Sequence, residues 1–315
     1  MSRTVLSALE LPKAAVLTRA LVDPVVPPVD PVAVEGIRAR LTDAVGRRSL
    51  PAGRRLRVDA FTLRTAPLPA NDRDPGPAFE WSPRTACRRI GLAAVRACVR
   101  GAEATPTDAV GSVVDDLIRL GVAGAARRGS LAEWLGSAGP GLVGITRAEA
   151  VTWATRLLTT LEWTRLGPGS SVGGADEWWD HPGAPAVCLR GRCDVRVVGR
   201  STGAGGPTGP PPFSLVTMLG GRPGPTARAE LGLAALVGAL GQSGRGRPAR
   251  VAGYWPDCGR ALVLPVDVAL LEHTATSVIG ALGAPGVNGP AGHPAVPMAE
   301  PPGADDGDGE AGLAA

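Results

Sequence analysis

The chain has 315 residues, is 44% hydrophobic and carries 33 basic against 29 acidic side chains, a net charge of +4. That length and apolar content supply a real core for one large domain or two small ones, and so exclude a wholly disordered chain. Five of the acids (Glu300, Asp305, Asp306, Asp308 and Glu310) lie near the C-terminus, which leaves 33 bases against 24 acids elsewhere, about +9. With 44 Gly, 31 Pro and Lys13 as its single lysine, the composition is that expected of a GC-rich bacterial gene. Arginine abundance is then no nucleic-acid signature by itself: a basic body permits a polyanionic partner without requiring one.

Chain order gives the following expectations. Asp30 and Pro31 form an N-cap and first helical residue, followed by Val34, Ile37, Leu41 and Val45 at helical spacing, and Leu56 to Leu63 reads as a strand. Residues 66–78 are a Pro, Asp and Asn linker, so residues 1–65 read as an N-terminal extension packed on a main domain over 79–282. Ser82-Pro83 and Thr105-Pro106 each open a helix, the first running to Val99 and the second carrying Val110, Val113, Val114, Leu117 and Ile118 as its apolar stripe. A short helix is expected around Leu131 to Leu135, and Thr146 with Glu149 reads as a capping box opening a further helix at Val151.

Residues 173–183, with Trp178, Trp179 and three acids, read as a turn-rich loop, and residues 187–199 as a strand with Asp194 inside it and Gly191 as a bulge. The nearly continuous apolar run from Phe213 to Leu219 suits a central strand buried on both faces. A helix apolar nearly all round follows from Thr226 to Leu240, then a hairpin turning at residues 256–259 and a last helix through Leu270, Leu271, Thr274 and Val278. Residues 283–315, rich in Pro, Gly, Ala and acid, are expected to be disordered.

Cys87, Cys98, Cys188, Cys193 and Cys258 form no C-x-x-C pair, and the three histidines are too scattered for a zinc site, so reduced thiols in the cytoplasm are the simplest expectation. Glu10 and Lys13 interrupt the N-terminal apolar stretch, and the run from Leu231 to Leu240 is about half a membrane span, so no membrane partner is expected. Neither glycine-rich segment, 203–209 or 220–226, has the Lys-Ser/Thr ending of a phosphate loop.

WSPRTACRRIGLAAV at 81–95, GSVVDD at 111–116, GRCD at 191–194, LVTML at 215–219 and RAELGLAAL at 228–236 follow one another in an order that resembles the PD-(D/E)XK nuclease superfamily, in particular its RecB-like exonuclease branch. The resemblance runs from about Trp81 to Asp267. It implies an α+β fold with a restriction-endonuclease-like core, a mixed central sheet flanked by helices. In that family the strand Asp and a second acid hold a divalent metal, and a Lys polarises the attacking water. Asp194 matches the strand Asp. Asp115 stands where the family has His, Thr217 where it has the second acid, Leu219 where it has Lys and Ala234 where it has Tyr.

A degenerate member without a cofactor, kept as a binding or scaffold module, is therefore the first expectation. The alternative is a magnesium- or manganese-dependent nuclease whose site has migrated to Asp194, Glu230 and Arg228, with the two acids as metal ligands; Arg228 is a poor stand-in because its charge is permanent and delocalised. A third reading is a protein-protein interaction module with Trp178 and Trp179 as anchors. DNA and a protein surface are thus the two candidate partners, and Arg84, Arg88 and Arg89 form the local basic cluster that would meet phosphates or simply keep a helix soluble. The plainest use of Asp194 is an ion pair with Arg192 or Arg196, two residues away on the same strand face. For Asp115 it is a solvated helix face.

Overall fold

The computed structural model describes residues 14–22, 29–46, 56–58, 60, 63, 80–167, 169–173, 177–181, 184–198, 213–219, 223–224, 226–241, 247–256 and 258–283. The expected linker at 66–78 and the tail beyond Gly283 lie outside them. The helices are α1 (Ala14–Val22), α2 (Pro31–Gly46), α3 (Pro83–Val99), α4 (Pro106–Val122), α5 (Leu131–Ser137), α6 (Pro140–Thr160), α7 (Ala227–Leu240) and α8 (Val268–Gly283). The strands are β1 (Leu56–Val58), β2 (Ser171–Val172), β3 (Glu177–His181), β4 (Ala184–Gly191), β5 (Val195–Val198), β6 (Phe213–Met218), β7 (Pro248–Trp255) and β8 (Arg260–Pro265).

Helix starts follow the cap chemistry of the sequence. The Asp30 carboxylate accepts the Val32 N–H at 2.9 Å, and Val34, Ile37, Leu41 and Val45 are buried along α2. Ser82 and Thr85 form a reciprocal capping box on α3, and Thr105 caps α4. The expected start at Thr146 is wrong by nearly two turns. Helix α6 begins at Pro140, and Thr146 is buried inside it, donating its hydroxyl to the Leu142 carbonyl at 2.8 Å. Proline is preorganised for the first helical position, and a mid-helix threonine satisfies itself by this back-bond, so the Thr-x-x-Glu pattern is no cap here. Helix α1 had no counterpart among the expected elements.

The strands form two sheets. In the larger the order is β2-β5-β6-β7-β8, antiparallel throughout except for the parallel β6/β7 pair, whose crossover contains α7. In the smaller, β4 pairs parallel to β1 and antiparallel to β3. Residues 187–199 are therefore not one strand. Strand β4 ends at Gly191 in one sheet and β5 begins at Val195 in the other, so Asp194 stands at the corner between them. Likewise 177–181, expected in a loop, is β3, while the described residues of the expected strand at 56–63 are strand only at 56–58, with Ala60 and Leu63 helical.

Strand β6 is buried along its whole length. Its Phe213 and Leu215 join the core formed with α2, α7 and α8, whereas Val216 and Met218 face the core formed with α3, α4 and α6. This period of two puts a hydrophobic layer on each side of the sheet. Helix α7 is buried at every position from Leu231 to Leu240 because it lies between β4 on one side and β7 on the other, with α8 and α2 closing the remaining faces. Val34 to Val45 of α2 and Val58 of β1 belong to this same core, so the N-terminal elements pack on the main body.

Gly191 is where β4 meets α7 most closely: a Cβ there would come within 2.8 Å of the Ala234 Cα, a backbone atom that cannot turn aside. Gly191→Ala is expected to destabilise the protein by about 1–3 kcal/mol through overpacking. Gly144→Ala, in α6 with open space around the added methyl, is expected to stabilise by about 0.5–1 kcal/mol. Urea unfolding midpoints measured at equal slope distinguish the two signs.

Candidate functional site

The C-terminal ends of the parallel β6/β7 pair, the corner at 192–194 and the first turn of α7 converge at one end of the larger sheet, the kind of place where open α/β sheets carry ligands. Asp194 is central to it, and its side chain has 0% exposure. Its backbone N–H donates to the Val216 carbonyl at 2.9 Å and its own carbonyl accepts the Gly173 N–H at 2.7 Å, which ties the corner to β6 and to the end of β2.

Both carboxylate oxygens are engaged. Arg88 of α3 donates to Oδ1, and the Met218 N–H donates to Oδ2 at 2.6 Å. Arg192 brings Nε to 3.7 Å from Oδ2 while a terminal nitrogen donates to the Met218 carbonyl at 2.7 Å. The Thr217 hydroxyl donates to the Arg192 carbonyl at 2.7 Å. Although the Arg192 side chain is 42% exposed, its guanidinium is tied into this corner by the Met218 carbonyl and Asp194. Burial lowers its pKa from the ordinary arginine value; Asp194 opposes that shift, Arg88 adds to it and Glu230 opposes it. Two guanidinium groups and two carboxylates thus form a locally balanced set.

Asp194 does pair with arginine, but chiefly with a different one from those expected. Residues 192–194 lie outside both strands, so the two-residue alternation of a strand does not orient them. Arg192 is a secondary partner, and Arg196 instead places its guanidinium 3.7 Å from the Phe213 ring centroid. Arg88 lies 106 residues away in sequence. Its signal was present but faint: Gly91 and Val95, three and seven residues on, are buried, so Arg88 belongs to an inward helix face rather than to a uniform basic cluster with Arg84 and Arg89, which are exposed.

The other candidates are dispersed. Glu230 is half-buried in the first turn of α7, within the electrostatic reach of Arg192, and Arg228 is exposed on that turn. Asp115 is 61% exposed and pairs with Arg147 of α6 at 2.5 Å. Trp178 and Trp179 lie in β3 opposite Arg190 and Leu189 of β4. Among the described residues no three His, Cys, Asp or Glu side chains cluster as a metal site. As arranged, the donor set does not fit magnesium or manganese. Each Asp194 oxygen already accepts a hydrogen bond, and Thr217 beside it offers a hydroxyl that donates to the Arg192 carbonyl rather than a second carboxylate.

A basic surface lies at the start of α3. The Trp81 indole donates to the Gly129 carbonyl at 2.9 Å, which holds the Arg127-Arg128 turn beside the first turn of the helix. Arg84, Arg89, Arg127 and Arg128 are all exposed there, and α3 contains no acidic residue. No described helix is long and apolar enough to cross a membrane. No family model, curated protein or solved structure matches the chain.

Removing Arg88 leaves the buried Asp194 carboxylate with only the Met218 N–H and the more distant Arg192. Arg88→Met alone is expected to cost about 3 kcal/mol. Combining it with Asp194→Leu should recover most of that loss, giving a coupling above about 1 kcal/mol in a double-mutant cycle. Additive losses in urea unfolding would mean that the two side chains do not depend on each other.

Proposed function

We propose that this protein is a catalytically inactive binding module built on a PD-(D/E)XK-like core, and that the phosphate backbone of duplex DNA is its ligand. The observation that carries the reading is the saturation of the Asp194 carboxylate by Arg88 and the Met218 N–H, with Arg192 alongside. A guanidinium supplies the positive charge where a nuclease of this class would need a divalent cation, but it cannot coordinate and acidify a water.

Three features support the likeness to that core. Asp194 stands next to β6, the strand bearing Thr217. An α-helical crossover links β6 to its parallel neighbour β7. Helix α3 packs on the sheet face beside the Asp194 corner and reaches that residue through Arg88. DNA is favoured as ligand by the exposed arginines of α3 and the 127–128 turn. A duplex is favoured over a single strand because Trp81, the aromatic residue among the described residues at the start of α3, is half-buried against the core and spends its indole N–H on Gly129.

Purified protein titrated with labelled duplex and single-stranded DNA across a salt series, with manganese present, tests both parts when the same samples are run on a denaturing gel. The expected result is intact DNA and preferential duplex binding with a log–log salt slope of about −3. Arg84→Ala with Arg89→Ala should bring that slope about 2 units closer to zero. Cleavage that stops on chelation and in Glu230→Gln would instead favour a nuclease with a migrated site at Asp194, Glu230 and Arg228. Neither binding nor cleavage would favour a protein partner, with the β3 strand carrying Trp178 and Trp179 as the next surface to test.

A further inference from the structure

Strand β8 ends the larger sheet, and among the described residues no strand pairs with its outer edge. The register of β8 on β7 shows which backbone groups that edge presents. The Val266 N–H donates to the Ala249 carbonyl at 2.9 Å, one step beyond the facing pair Arg250 and Pro265. Bonded residues alternate in an antiparallel ladder, so Arg260, Leu262 and Leu264 turn their N–H and C=O groups to β7, whereas Ala261 and Val263 turn theirs outward. Pro265 also points outward and has no N–H to offer. Among the described residues nothing meets the four outward groups of Ala261 and Val263, although these residues are only 8% and 9% exposed. Backbone polar groups with so little access to water are normally paired. The edge is also smooth: the β7/β8 register runs without a bulge, and every residue between Arg260 and Pro265 is apolar. Natural edges that stay single are usually broken by charges or bulges.

We propose that β8 pairs antiparallel with β8 of a second copy of this chain, across a two-fold axis at Leu262, joining the larger sheets of two copies into one. The register follows from the hydrogen bonds. With Ala261 opposite Val263 of the second copy, each outward N–H meets an outward carbonyl, and the two-fold repeats the pair, so every outward group of Ala261 and Val263 is answered. A shift that set Ala261 opposite Pro265 would leave the Ala261 carbonyl without a donor. The same register puts Leu262 against its own mate and Arg260 beside Leu264 of the second copy. These positions share the face on which Leu262 and Leu264 are only partly buried. They are non-hydrogen-bonded pairs, in which side chains approach most closely, and the Arg260 stem can lie along the leucine with its charge in water.

A second copy is favoured over an unrelated strand because this one short edge supplies, in a single register, both the donors and the acceptors it needs. Arg260 and its mate are kept four residues apart along the pair, roughly 13 Å, so like charges do not meet. At the other edge of the sheet β2 has only two residues, too few to receive β8, and the association therefore closes as a dimer instead of growing into a filament. A strand pair alone buries less than the roughly 1,000 Å² of a stable interface, so the dimer is weak and reversible. The inference stands on backbone geometry and is independent of the DNA reading.

Sedimentation equilibrium of the full chain from about 5 to about 500 μM should show monomer passing to dimer. Hydrogen exchange at the two ends of that range should show the Ala261 and Val263 amides protected only at the higher concentration. Leu262→Lys sets two cations against each other across the axis and should weaken the dimer about 10-fold. Register is read by crosslinking in a Cys258→Ser background, which removes the exposed thiol. Mild oxidation should join two copies through Leu262→Cys, whose mates lie within disulfide reach, and not through Leu264→Cys, whose mates lie roughly 13 Å apart along the strand. A monomer at every concentration, a dimer that Leu262→Lys leaves intact, or equal crosslinking of the two cysteine variants would overturn the proposal. So would protection of both amides at every concentration, which would mean that another part of the chain covers the edge. The exchange measurement uses the unaltered chain, so it decides the matter should Leu262→Lys fail to fold.

Discussion

A carboxylate with no exposed surface has to be neutralised where it stands, and the way this chain neutralises Asp194 determines how its layers meet. The charge is answered by Arg88 from a helix on one face of the larger sheet, by the Met218 N–H at the end of the central strand, and at longer range by Arg192 from the same corner. The peptide group of Asp194 simultaneously joins β6 and the end of β2. One residue thereby fixes the corner at which the chain leaves the smaller sheet and enters the larger. Replacing such a pair with apolar groups of similar size is often neutral or stabilising, so its contribution here is to position rather than to net stability. The polar contacts it fixes hold α3 at a definite depth against β5 and β6, which packing of alanine and valine alone would specify less sharply.

Helix α7 imposes the second constraint. A helix apolar nearly all round needs cover on every side, and a single sheet covers only one. The chain supplies a second sheet on the opposite flank and two helices, α2 and α8, on the remainder. This explains why the N-terminal α2 and β1 join the same core as α7 and α8 although a linker-like segment separates them from the rest of the sequence. It also explains the break at 192–194. A chain serving both flanks of α7 has to turn around its end, and Gly191 lets β4 approach the helix backbone immediately before that turn.

Much of this was legible from local pattern. Cap residues located α2, α3 and α4, the continuous apolar run identified the buried β6, and the all-round apolar helix was recognisable as a buried element. What the pattern missed depended on long-range contacts. The run from Val187 to Val198 is apolar and β-branched on both sides of Asp194, so nothing in its composition signals that its two halves belong to different sheets. Thr146 and Glu149 match a capping box, yet Pro140 starts the helix earlier, and packing of Ala150, Ala154 and Leu157 carries it through two intervening glycines. At the site, the residue and its secondary partner Arg192 were recognised and its chief partner was not, because sequence spacing ranks neighbours two residues away above one that arrives from another element.

Arginine usage decides how far charge can be taken as function in a chain with this composition. A bias that inserts arginine everywhere produces residues that the fold then absorbs: Arg96 donates to the carbonyls of Val172 and Gly173, Arg38 to that of Leu240, and Arg88 to Asp194. These are structural whatever their codons, since each arginine head is tied to a carbonyl or carboxylate of another element. Subtracting them from α3 leaves Arg84 and Arg89 at its beginning and Arg100 as its C-cap, with Glu103 and Asp108 close to that C-terminal end. Exposed arginines therefore gather at one end of one helix, beside a turn that carries two more. A composition effect would scatter such charge over the surface. Its concentration where the Trp81–Gly129 contact joins two elements is what gives that surface a claim to a partner.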